Sequence, residues 1–223
     1  DGVEQFGRLD IVVANAGGPP PGTPSQTSLD GYQTAWELNT LAMIAPIQTA
    51  VPAMRAQRWG RVLAITSIGA RQPIVGLAAS SAARAATTSF IKTLATEIGP
   101  DGVTANTIQP GLHATDRVKA LHSQSGANPT AGIPLGRIGD AADFGAVAAF
   151  LCSEPANFIT GASILVDGGA AGAQDAASAI GWSAMPAAER TARKPAKSRA
   201  ARSARIFRSS PMLAFFRLLI MRE

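Results

Sequence analysis

Apolar positions along the chain fall into two alternating patterns. Short continuous apolar runs rich in β-branched residues are separated by longer stretches in which apolar residues return every three or four positions. The first pattern marks a strand covered on both faces, and the second an amphipathic helix. Asp10-Ile-Val-Val-Ala14 is predicted as a strand that ends in Asn15-Ala-Gly17. Gly18-Pro-Pro-Pro-Gly22 then reads as a rigid loop. Leu29 to Gln57 is predicted as one long helix, with Asp30 near its start and a bend at Pro46 or Pro52. Further strands are predicted at Arg61–Thr66, Val103–Gln109 and Ser163–Val166, and further helices at Leu77–Ile98 and Ala141–Leu151. Gly99-Pro100, Pro110-Gly111 and Asp167-Gly-Gly169 close three of these segments.

Strands separated by helices of this length need βαβ crossovers, so the predicted class is α/β with a parallel sheet between helix layers. The Leu77–Ile98 stretch is crowded with Ala and Ser. Such small side chains let a helix approach the sheet, or a partner helix, closely.

Composition narrows the picture. The chain has 223 residues, of which 46% are hydrophobic. That supports one domain with a full core, not a disordered chain and not two large domains. The single cysteine, Cys152, excludes an internal disulfide framework and a multi-cysteine metal site, and fits a reducing cytosol. There is no run of about 18 apolar residues to span a membrane. The opening Asp1-Gly-Val-Glu-Gln-Phe6 does not look like a signal peptide, and a cytoplasmic location is expected.

The net charge of +5 at first invites polyanionic partners. Its distribution removes that reading. Residues 1–170 hold 10 Lys+Arg and 12 Asp+Glu, whereas residues 171–223 hold 10 basic and 3 acidic residues. A mildly acidic domain over 1–170 and a basic low-complexity tail over 171–223 are expected. Arg190 to Arg208 has no apolar period, and the apolar stretch Met212–Met221 is short and contains Arg217. A disordered extension, a membrane-surface anchor, a phosphate-binding segment and a frame-shifted end are the readings open for this tail. A disordered, frame-shifted end is favoured, with neither nucleic acid nor membrane contact expected.

Six motifs recur in order along the body: Asp10-Ile-Val-Val-Ala-Asn-Ala-Gly17, Glu37-Leu-Asn39, Ile65-Thr-Ser67, Asn106-Thr-Ile-Gln-Pro-Gly111, Pro134-Leu-Gly-Arg137, and Phe158-Ile-Thr-Gly161 through Val166-Asp-Gly-Gly169. Together they resemble the short-chain dehydrogenase/reductase family, above all its 3-oxoacyl-acyl-carrier-protein reductase-like members. The resemblance implies a Rossmann-type three-layer parallel sheet. It also implies an opening strand, a glycine-rich Gly-x-x-x-Gly-x-Gly turn for the cofactor pyrophosphate, and a residue that selects NAD or NADP. None of these is present, so the chain is expected to correspond to the C-terminal two thirds of such a reductase. It is then either a fragment or a sheet completed from elsewhere.

The same resemblance implies hydride transfer between a nicotinamide, NAD or NADP, and a carbonyl or alcohol. The family chemistry needs a hydroxyl on the carbonyl oxygen, a proton donor, and a cation that lowers the donor's pKa. Ser67 and Asn39 fall on the family's serine and asparagine and are the candidate catalytic residues. Their plain alternatives are a capped strand end and a polar break in a helix. The family's Tyr-x-x-x-Lys pair falls on Ser80 and Arg84, which share one helix face. A serine hydroxyl is a far weaker acid than a phenol. Arg84 keeps the charge, could fork onto ribose hydroxyls, and does not titrate. The one tyrosine, Tyr32, lies at the start of the first long helix, and His113 reads as a solvated loop histidine.

Asn15, Ala16, Gly17, Pro110, Gly111 and Thr115 are the candidate cofactor contacts that the resemblance assigns, and Leu112 to Ile133 the substrate lid, expected to be mobile. The implied substrate is a small-molecule carbonyl or acyl thioester, and the intact form is expected to be a homo-oligomer. A non-catalytic family member, acting as a nucleotide-binding or oligomerisation module, is the alternative. A protein working through its basic tail is a third.

Overall fold

The computed structural model describes residues 7–115, 128 and 130–172. Most of the expected lid and all but the first residues of the basic tail lie outside them. So does any test of the boundary at 170/171.

Four strands form one parallel sheet in the order β1 (Ile11–Ala14), β2 (Gly60–Ile65), β3 (Val103–Pro110) and β4 (Ser163–Val166). The helices are α1 (Leu29–Trp36), α2 (Ala42–Ala56), α3 (Ala78–Ile98) and α4 (Ala141–Leu151). Side-chain alternation explains the layers. Val12, Ala14, Val62, Ala64, Val103 and Ala105 face α2 and α3, where Met43, Ile47, Met54, Ile91 and Ile98 are almost fully buried. Leu63 and Ile108 face the other way, against Ala148, Leu151 and Cys152 of the α4 layer. Both faces are covered, which is why the strands read as unbroken apolar runs.

The long first helix departs from expectation. Between α1 and α2 lies a π turn, Glu37–Leu41, in which the Ala42 N–H reaches back five residues to the Glu37 carbonyl. Pro46 and Pro52 sit inside α2. The irregularity in the ladder is thus placed at Asn39 and not confined to the prolines. A π turn inserts one residue into a helix and re-aims its side chains. Asn39 and Thr40 are consequently buried, at 0% and 1% exposure.

The loop after β1 is anchored at its far end. The Gly22 N–H donates to the Gly76 carbonyl at 2.7 Å, and the Ala78 N–H donates to the Gly22 carbonyl at 3.2 Å. This joins the proline-rich loop to the start of α3. Gly102 closes the turn after α3 with φ +75°, and a β-carbon there would stand 2.5 Å from the Arg58 carbonyl oxygen. Only glycine fits that turn. No helix among the described residues is long and apolar enough to cross a membrane.

Cys152 closes α4 within the apolar layer, and burial pushes its thiol up to about 11, partly offset by the charge of Arg61. A free cysteine in an unfolded chain ionises near ~8.5. Between these values the unfolded chain has lost a proton that the fold retains, so stability falls as pH rises through that window. A urea denaturation series from pH 7 to 10.5 should show the decline, and Cys152→Ala should remove this component of it. Thiol reagents at pH 8 should label the denatured chain quickly and the native chain slowly.

Candidate functional site

The C-terminal ends of parallel strands are where such sheets place ligands. At this edge the structure gathers residues from four segments. Asn39 reaches out of the π turn, and its Nδ2 donates to the Gly17 carbonyl at 3.0 Å. Ser80, in the first turn of α3, donates from Oγ to Asn39 Oδ1 at 3.4 Å. Arg84, one turn on, donates from Nε to Ser80 Oγ at 3.4 Å. Its Nη1 donates to the carbonyls of Ile65 and Thr66 at 3.1 and 2.9 Å. Its Nη2 reaches the carbonyls of Ala16 and Gly17, both at 3.4 Å. The guanidinium therefore forks onto main-chain carbonyls, where the sequence alone had suggested ribose hydroxyls.

Two threonines hold this arrangement from behind. Thr87 Oγ1 donates to the Asn39 carbonyl at 2.7 Å, and Thr40 Oγ1 donates to the Ala83 carbonyl at 2.9 Å. A widened turn disturbs the regular carbonyl pairing of a helix, and these hydroxyls supply donors to carbonyls on both sides of the contact. Neither threonine was singled out from the sequence. The signal for Thr87 was there, because residues 80, 84, 87 and 91 form one helix face.

Ser67 stands at the end of β2 and caps the short Ile68–Ala70 turn, its Oγ accepting from the Gly69 N–H at 3.0 Å. A β-carbon on Gly69 would stand 3.1 Å from Ser81 Oγ and 3.3 Å from Ser67 Oγ, so Ser67 adjoins the start of α3. Asn15 and Gly17 are exposed, Ala16 is half-buried, and open space surrounds the position of a β-carbon on Gly17. Pro110 and Gly111 lie at the end of β3. Gly111 donates its N–H to the Val166 carbonyl at 3.0 Å, and a β-carbon on it would collide with Asp167. Thr115 is exposed at the end of this loop, and its N–H donates to the His113 carbonyl.

His113 corrects the sequence reading. It is buried at 8% exposure, its ring lies edge-on to Phe144 of α4 at 5.1 Å, and it packs on Gly139. Main-chain bonds from Ala114 to Gly139 and from Gly139 to Leu112 stitch the same loop down. Tyr32 packs on Ala79 and Ala83 of α3. Among the described residues no group of three or more His, Cys, Asp or Glu side chains could hold a metal ion.

Residues 1–171 match the family model described as enoyl-(acyl carrier protein) reductase. The chain belongs to the short-chain dehydrogenase/reductase family. It is 33% identical over 165 residues to 3-oxoacyl-acyl-carrier-protein reductase FabG of Salmonella typhimurium, covering 74% of this chain and 68% of that protein. It is 40% identical over 180 residues to L-fucose dehydrogenase of Bos taurus, covering 75% of this chain and 64% of that one. Among solved structures it superposes with a TM-score of 0.69 on a short-chain oxidoreductase from Pseudomonas aeruginosa PAO1. That protein is described as NADPH-bound and as containing an atypical catalytic center. Sequence identity there is 28%, over 75% of this chain and 67% of that one. In this chain the ends of β1 and β2 and the start of α3 carry a serine and an arginine in one connected network.

The Thr87 hydroxyl is fully buried beneath that network. Thr87→Val, which keeps the shape and removes the donor, should lower stability by about 1–3 kcal/mol, since it leaves the Asn39 carbonyl short of a partner. Chemical denaturation followed by far-UV circular dichroism measures this directly.

Proposed function

We propose that this chain serves an NAD(P)-dependent oxidoreductase that moves a hydride between a nicotinamide and a carbonyl or alcohol. The proposed substrate is of the 3-oxoacyl thioester kind. The observation that supports this most is the convergence of Asn15–Gly17, Asn39, Ser80 and Arg84 on the ends of β1 and β2. The relatives named 3-oxoacyl-acyl-carrier-protein reductase favour the thioester, and the NADPH-bound relative favours the cofactor.

The residues present suit two parts of such a cofactor, Asn15–Gly17 the adenosine ribose and the loop after β3 the nicotinamide. Gly17 is exposed with open space beside it, so a planar ring or a sugar can approach the backbone there. Pro110, Gly111 and Thr115 would flank the carboxamide side. Ser67 keeps its hydroxyl proton while its oxygen accepts from Gly69, so it is the residue to hold a substrate carbonyl oxygen. When bound, the nicotinamide supplies the hydride. The sequence holds no glycine-rich turn for the pyrophosphate, so dinucleotide affinity of this chain should be weak. We further propose a cytoplasmic location and a homo-oligomeric intact form.

A second reading is favoured by a specific observation. Ser80 directs its proton to Asn39 Oδ1, and Arg84 spends N–H groups on backbone carbonyls. This is the geometry of a fixed network, which suits a nucleotide-binding or oligomerisation module with no proton relay. Following NADPH oxidation with an acetoacetyl thioester separates the two. Measurable turnover by the unaltered protein supports the reductase. An inert protein that gains at least about 10²-fold with Ser80→Tyr and Arg84→Lys together supports the module, because general-acid catalysis contributes on that scale. The double variant should also show a titration below ~10 in its rate profile, from a phenol beside a cation. If neither protein turns over at NADPH concentrations that titration shows to saturate it, hydride transfer at this site is rejected.

A further inference from the structure

β1 is a weak element by its own means. It has four residues and, among the described residues, one sheet neighbour, β2. The paired register stops at Ala14 opposite Ala64. A strand of four residues frays readily at its ends. Yet the turn that follows it, Asn15–Gly17, is the one on which the proposed cofactor site depends.

The guanidinium of Arg84 sits across this junction. One nitrogen donates to two carbonyls at the end of β2, that of its last residue Ile65 and that of Thr66 just beyond, and the other faces the carbonyls of Ala16 and Gly17 beyond β1. The contacts to β2 are the shorter and stronger ones, so the side chain is seated on β2 and reaches over to β1. Ser80 Oγ accepts from Nε and sets the tilt of the fork. Asn39 adds its own bond to Gly17. A planar fork with five N–H groups can address two pairs of acceptors on two strands at once. A lysine ammonium has three donors on one atom and cannot.

We propose that Arg84 is a positioning residue that bolts the C-terminal end of strand β1 to β2 and so fixes the Asn15–Gly17 turn for nucleotide. The bolt stands on the contacts alone; the nucleotide clause rests on the function proposed above. It also accounts for an arginine in place of a lysine at this position. The larger fork serves the backbone, at the expense of a cation free to tune a neighbouring acid.

Hydrogen exchange read by mass spectrometry tests the bolt without any cofactor. In Arg84→Lys and Arg84→Gln, amides of Ile11–Ala14 should exchange about tenfold faster than in the unaltered protein, the scale set by losing a charge-assisted hydrogen bond. Amides of Val103–Pro110 should keep their rate. Unchanged exchange in β1 overturns the proposal. Equal loosening of β3, or failure of both variants to fold, means that Arg84 supports the whole sheet and overturns it too. NADPH titration by fluorescence reads the positioning. Affinity should fall about tenfold in Arg84→Lys, and a loosened β1 with unchanged affinity refutes the positioning role. An unaltered protein that shows no NADPH or NADH binding even at millimolar cofactor refutes the nucleotide clause, while the exchange result still decides the bolt.

Discussion

A fully buried amide needs hydrogen-bond partners for both its nitrogen and its oxygen, and Asn39 finds them by joining three parts of the chain. Its side-chain nitrogen holds the turn after β1, its side-chain oxygen receives Ser80, and its main-chain carbonyl receives Thr87. The π turn exists where this residue must point inward. Remove the asparagine and the turn, the first part of α3 and β1 lose their common reference. The surrounding core tolerates no easy substitute, since Asn39, Thr40 and Thr87 are all within 1% of complete burial.

Much of the architecture was legible because the physics that fixes it is local. Continuous apolar runs such as Val62-Leu-Ala64 fit strands covered on both faces, and the helices predicted between such runs point to a parallel α/β class. Glycine and proline marked the ends of segments because they constrain the backbone wherever they stand. The motifs placed Ser67, Asn39, Pro110 and Gly111 at strand ends and on a helix facing them, where they are found.

What escaped has a common cause. The partners of Arg84 are carbonyls of Ala16, Gly17, Ile65 and Thr66, and a main-chain acceptor leaves no trace in residue identity. The π turn is equally silent, because a helix with one inserted residue keeps an apolar period on either side of it. His113 was misjudged because burial of a loop residue depends on what lies opposite. Here that is Phe144 and the bare Cα of Gly139, both distant in sequence. That Ser80 and Arg84 stand where the family resemblance implies Tyr and Lys was plain from the sequence. Its meaning was not, because it turns on where the guanidinium lies.

The proline-rich segment between Gly18 and Gly22 acquires a mechanical meaning from its two ends. One end leaves the Gly17 carbonyl held by Asn39, and the other is stitched to Gly76 and Ala78. Three consecutive prolines make the span between them stiff. Strand end, span, helix and guanidinium thus close a ring. In a closed ring each member holds the next, so the Asn15–Gly17 turn takes its position from α3, as a truss fixes a joint from several sides.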